Sequence, residues 1–184
     1  AHGLIRKEIY DALGPAEKLR MHQRIAEVLE ELYQANLQAH PAELAHHFRE
    51  AGITEKAVNY LIRAGEEAGR IYAYEDAVSH WSAALGLVEE LGGHRPDYAI
   101  LHYHLGKHMV LLGESAKSIE HLEKALRTYE ELGDARGAAL VHLALGVVFF
   151  RFVRVQDTPR MAEHLRQAEA GLSKGAEDGN LAIL

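Results

Sequence analysis

The chain has no cysteine among its 184 residues. That removes disulfides and thiolate metal sites, and it suits a reducing interior. Proline is scarce, four residues against sixteen glycines, so long helices can run uninterrupted. No run of basic residues occurs, and twenty Lys and Arg stand against twenty-seven Asp and Glu for a net charge of −7. Such a surface repels duplex DNA and argues against direct nucleic-acid binding. No apolar run approaches the roughly 20 residues that span a bilayer. The opening "AHGLIRKEIY" also lacks the apolar core and cleavage site of a signal peptide. A cytoplasmic protein without membrane association is expected. Nucleophile and phosphate-loop motifs are missing too: "GLSKGAEDG" lacks the Walker spacing and no Gly-x-Ser-x-Gly occurs. No catalytic residue, bound cofactor or resident metal is expected.

What remains is a helical composition, 48% hydrophobic residues with Ala, Leu, Glu, Lys and Arg dominant, enough to bury a real core. The sequence also repeats. Ala64-Gly65, Leu105-Gly106 and Leu145-Gly146 each sit mid-segment, with the glycines 41 and 40 residues apart. A second signature follows each pair: Ala77, Trp81, Ala84; then Ser118, Leu122, Ala125; then Met161, Leu165, Ala168. A small residue in the first helix of a hairpin admits the second helix closely, and the large residue of that second helix fills the hole. One hairpin leaves a face bare, so hairpins stack and the unit recurs.

These phrases, "AGEEA" with "AVSHWSAA", "LGKHM" with "SIEHLEKA" and "LGVVF" with "MAEHLRQA", resemble the tetratricopeptide repeat, whose signature pairs Leu-Gly-x-x-Tyr with a later Ala-x-x-x-Phe. The resemblance covers about 54–173, with a spacing near forty where thirty-four is standard. It implies an all-α fold, a right-handed superhelical solenoid of antiparallel helical hairpins. Helices are expected near 4–13, 16–36, 41–51, 54–71, 74–91, 96–112, 115–132, 135–152 and 158–173, with a last one starting near 178. The repeats are then 54–91, 96–132 and 135–173, the region 54–184 ending in the start of a further repeat from about 178. Pro96 and Pro159 suit first turns, and Gly52, Gly92, Gly93, Gly113 and Gly133 suit helix ends. "VVFFRFVRV" follows a segment in helical phase and reads as its continuation rather than as a strand.

Residues 1–53 are expected to form a separate helical junction or capping segment. "HGLIRKEIYDAL", "RMHQRIAEVLEEL", "PAELAHHFREAG" and "KAVNYLIRAGEEA" resemble, in order, the junction between a winged-helix segment and the helical-repeat arm of bacterial signal-transducing ATPases. The resemblance implies an upstream AAA-type or STAND-type ATPase module, and a LuxR-type or cyclase-linked regulator as parent. Both ends read as cut, since the chain opens in helical phase and closes on "DGNLAIL". Leu165 and Leu172 would then lack their natural cover, and self-association through the C-terminal face is expected.

First helices of successive hairpins line the inner face of such an array. Projecting the family's groove positions gives Asn59, Glu66 and Arg70; Tyr103, Lys107 and Val110; and Leu143, Val147, Phe150 and Arg151. This blend suits a protein segment or a small effector. The resemblance thus implies a non-catalytic interaction and sensing module of a larger ATP-dependent regulator. A rival reading builds a metal-dependent helical enzyme on the thirteen histidines. His80, His121 and His164 share one repeat position and His102 and His142 another, which makes them repeat residues. His104 and His108, four apart on one helix, could present two imidazoles to a metal. The adjacent His46 and His47 diverge around a helix and are weaker candidates.

Overall fold

The computed structural model describes residues 2–33, 40–92, 96–151 and 158–177. Among these the regular structure is helical throughout: α1 (His2–Ala12), α2 (Pro15–Leu32), α3 (Pro41–Glu50), α4 (Thr54–Arg70), α5 (Tyr74–Glu90), α6 (Pro96–Met109), α7 (Ser115–Glu131), α8 (Ala135–Arg151) and α9 (Thr158–Glu177). Pro15, Pro41 and Pro96 open α2, α3 and α6, where the missing N–H would have had no intrahelical partner. The helices end in tight reversals. After α6 and a 3-10 turn, Val110–Leu112, the Gly113 N–H donates to the Val110 carbonyl and the Glu114 N–H to that of Met109. Gly113 sits at φ +82°, a conformation that costs a side chain about 1–2 kcal/mol. The same pair of bonds closes α3 at Gly52 and α7 at Gly133. After α4 the left-handed position is held by Tyr72, at φ 64°.

From α2 to α9, each helix packs on the one before it and the one after it. The structure is therefore an all-α solenoid of stacked hairpins. The glycine register holds at the α4–α5, α6–α7 and α8–α9 crossings. A Cβ at Gly65 would collide with the indole of Trp81, and one at Gly106 would lie 2.6 Å from Leu122 Cγ and 2.8 Å from the Ser118 carbonyl oxygen. One at Gly146 would lie 2.9 Å from Leu165 Cδ2. Ser118 does more than stay small: its hydroxyl donates to the Gly106 carbonyl at 2.6 Å, a buried bond that locks the α6–α7 crossing. Trp81 donates its indole N–H to the Ile62 carbonyl at 3.2 Å. Its burial is nearly complete, as is that of Leu122 and of Ala77, Ala84 and Ala125, each large side chain contributing about 1.5–3 kcal/mol.

α2 and α3 share this design. Ala26, Leu44 and Phe48 are fully buried in the core that continues through α4 and α5. Glu30 of α2 accepts bonds from Lys56 and Tyr60 of α4, both at 2.6 Å. Burial pushes the Glu30 carboxyl up, but those bonds and the Lys56 and Arg63 charges outweigh it and leave it lowered; Tyr60 is pushed up to about 12 by burial and by its bond to Glu30.

Three boundaries differ from expectation. α2 stops at Leu32 rather than near 36, and the last turn of the 96–112 segment tightens to 3-10 geometry. α9 runs to Glu177 instead of ending at 173, and within it Gly171 is a packing glycine whose missing Cβ would lie 2.8 Å from Ala139 Cβ. The helix expected from about 178 lies outside the described residues.

Candidate functional site

α6 and α8, the first helices of two successive hairpins, border a cavity of about 220 Å³. Tyr103, Lys107 and Val110 face it from α6 and the adjoining turn, and Leu140, Leu143, Ala144, Val147 and Val148 from α8. Among the described residues the lining is apolar except for Tyr103 and Lys107, whose ammonium lies 5.8 Å from the Tyr103 ring centre. Burial pushes the Tyr103 phenol up, so it stays a neutral hydrogen-bonding group. Leu143 and Val147 remain open to solvent, and Phe150 carries the same apolar stripe onward with 58% of its surface exposed. Leu140, Leu143, Val147 and Phe150 follow helical spacing on one face.

Of the sequence-predicted groove residues, Tyr103, Lys107, Val110, Leu143 and Val147 meet around this cavity; the others lie elsewhere. Asn59 borders a separate hollow of about 60 Å³ with Val88, Leu91 and Asp97. Arg70 is engaged within its own helix, its guanidinium donating to Glu67 at 2.7 and 3.0 Å. Glu66 is exposed in area, yet the surrounding protein desolvates its carboxyl and raises it, against the pull of Arg63. That combination belongs to a recessed surface. Arg151 ends α8 and is exposed. Leu140, Ala144 and Val148 were missed; they follow one another at four-residue steps alongside Leu143 and Val147, which is the signal that could have found them. A larger hollow of about 410 Å³ lies between α5, α6 and α7, but its rim alternates Glu89 and Glu131 with Lys124 and Arg127, and Lys124 is already paired with Glu120.

The histidines form pairs across the hairpins. His102 and His121 approach Nδ1 to Nδ1 at 2.7 Å, His142 and His164 at 2.9 Å, and His22 and His47 at 2.9 Å. In each pair one Nδ1 carries the proton and the other accepts it, so the rings hold opposite tautomers. Burial, reinforced by its partner, pushes His102 down to about 3, and its Nε2 is buried without a partner. His104 and His108 serve differently: both rings pack on Trp81 at 4.7 Å, His104 nearly parallel to it. The His108 Nδ1–H donates to the His104 carbonyl at 2.9 Å. Their spacing is used for stacking on the indole. Burial lowers His104 to about 4. His46 and His47, in contrast, both reach His22, with ring centres 5.7 and 5.1 Å away.

Fold and site together define a class: an all-α solenoid of helical hairpins that presents a surface built by successive first helices. Residues 73–131, covering α5 through α7, match the tetratricopeptide repeat family, so this part of the chain is a repeat of that type, a kind that generally binds protein partners and is generally non-catalytic. Among solved structures, the crystal structure of BtubC (BKLC) from P. vanneervenii is similar, with a TM-score of 0.62 over 88% of this chain and 75% of that chain. At 16% sequence identity the likeness is one of fold. No curated protein matches the chain. Among the described residues no helix is long and apolar enough to cross a membrane.

Proposed function

We propose that the chain is a non-catalytic interaction module that captures a partner polypeptide in the α6–α8 groove. The observation that supports this most is the solvent-open apolar stripe Leu143, Val147 and Phe150 beside a cavity lined, among the described residues, by one charged side chain, Lys107. A surface with a net charge of −7 thus places a cation at its apolar hollow. The complementary ligand is a segment with apolar residues at helical or alternate spacing and an acidic residue beside them. Peptides selected from a displayed random library on the wild-type chain are expected to carry that pattern. They should lose about tenfold affinity or more on Val147→Glu, a change at a half-exposed position that leaves the core intact. Peptides bound equally well by Val147→Glu would place the binding face elsewhere.

The wider setting is part of the same proposal. The phrases over residues 1–68 support an arm of a larger ATP-dependent signalling or transcription regulator, cytoplasmic, with effector sensing as its task. A complete gene that encodes no nucleotide-binding module would remove that setting and leave the groove reading standing. Leu165 and Leu172, 39% and 41% exposed, support self-association through the C-terminal face. A chain that stays monomeric in sedimentation at high concentration would refute that part.

A further inference from the structure

Three imidazoles converge at one end of the array. His22 of α2 and His46 and His47 of α3 each offer a ring nitrogen, and these atoms all lie within 4.8 Å of one another. The ring centres are separated by 5.1 to 5.7 Å. Adjacent helix positions diverge by about 100°, yet His22 stands between the two directions, so both side chains reach it. From this geometry we infer that His22, His46 and His47 form a three-histidine site for a borderline divalent transition metal, of which Zn2+ is the best-suited probe.

The donor chemistry fits. Neutral imidazole is the ligand that Zn2+ and its neighbours in the first transition row favour, and three protein ligands with an open fourth position make a recurring tetrahedral arrangement. Zn–N bonds of about 2.0–2.1 Å place tetrahedral donors about 3.3 Å apart. His22 Nδ1 and His47 Nδ1 stand at 2.9 Å, so on metal binding the pair opens by a few tenths of an ångström and the ring that carries its proton on Nδ1 takes the Nε2–H tautomer instead. His46, exposed, swings in by rotamer change. A supporting shell is present as well. His22 Nε2 is 3.1 Å from the Tyr10 hydroxyl, which fixes the ring with Nδ1 turned to the site, as hydrogen-bonded metal histidines require. Glu43 and Glu50 add negative field at His47, and Glu50 at His22.

The chain contains its own control. His102 with His121 and His142 with His164 repeat the Nδ1-to-Nδ1 contact. Among the described residues, however, only the α2–α3 pair is joined by a third histidine. If paired imidazoles alone retained the ion, all three hairpins would bind it; if the third ligand decides, only the first would.

The test uses the whole 184-residue chain without an affinity tag. Isothermal titration with Zn2+ is expected to give one equivalent per chain. His46→Ala should weaken it at least about tenfold while leaving the metal-free melt unchanged, since His46 is exposed, and His121→Asn should leave it intact. At a hundredfold excess over Kd the wild-type midpoint should rise by about 5–10 °C. Co2+ should give the intense visible bands of a four-coordinate site in wild type and not in His46→Ala. Absence of stoichiometric binding in the micromolar range would overturn the site, as would undiminished binding by His46→Ala or equal loss in His121→Asn. Should His46→Ala melt differently without metal, His46→Gln repeats the comparison with the side-chain volume retained.

Discussion

Replacing one glycine by alanine should have opposite effects at two places in this chain. Gly106 and Gly86 both lie inside helices, α6 and α5, where alanine is intrinsically favoured by about 0.8–1.0 kcal/mol. At Gly86 a new Cβ meets nothing within 4 Å, so the propensity acts alone and Gly86→Ala should stabilise by about 0.5–1 kcal/mol. At Gly106 it meets Leu122 Cγ at 2.6 Å and the Ser118 carbonyl oxygen at 2.8 Å. Leu122 is fully buried and the carbonyl belongs to α7, so relief requires the two helices to part. Overpacking of this kind costs about 1–3 kcal/mol. Parting the helices also stretches the Ser118 bond to the Gly106 carbonyl, a further ~1 kcal/mol. The steric term exceeds the propensity gain, and Gly106→Ala should be destabilised by about 1–3 kcal/mol net. Circular dichroism of thermal and urea unfolding, with Trp81 fluorescence as a local probe, reads both variants. The expected midpoint shifts are downward by several degrees for Gly106→Ala and upward by about 1–4 °C for Gly86→Ala. Equal gains at both sites would refute the close crossing of α6 and α7.

Tyr72→Gly, at the left-handed turn after α4, should stabilise the chain by about 1 kcal/mol, because the position costs a side chain conformational strain and Tyr72 is 76% exposed; an unchanged or lower midpoint refutes this. Acid should weaken the fold well before the carboxylates titrate. His102 and His104 are depressed to about 3 and about 4 from 6.5, so the unfolded chain binds more protons below pH 6.5. The stability tied to their neutral forms is whole above that pH and is lost as the pH falls towards 4, by at most about 1.4 kcal/mol per pH unit for each histidine. Melting midpoints that stay level between pH 7 and 5 would show that the two imidazoles open to solvent independently of unfolding.

The hairpin register was readable because its cause is local to each repeat: Gly65, Gly106 and Gly146 are followed by Trp81, Leu122 and Leu165 at offsets of 16, 16 and 19 residues, and a steric requirement repeated in three units leaves three marks. Helix ends at Gly52, Gly113 and Gly133 were readable for the same reason. The histidine pairs lay deeper. His102 with His142, and His121 with His164, were visible as repeat positions, but that the two sets face each other depends on the rotation of two helices about their crossing. Leu44, Phe48 and Ala51, with His47 before the aromatic, carry the spacing of Ser118, Leu122 and Ala125 with His121. The shorter step from them to Trp81 concealed the kinship of α2–α3 with the later hairpins. The groove was legible in part: Tyr103, Lys107, Leu143 and Val147 occupy matching faces of α6 and α8, whereas Asn59 and Arg70 on α4 turn to other neighbours.

Packing that joins each helix to its chain neighbours has a consequence for how such a molecule responds to force and to change in length. Contacts close in sequence form with little loop-closure entropy, so folding can start in any hairpin and spread. Pulling on the two ends would peel hairpins one at a time, each release lengthening the chain by a similar step and leaving the rest intact. The same modularity lets a hairpin be duplicated or deleted without redesigning a common core. Groove length can then change by whole units while the chemistry of each surviving unit is preserved.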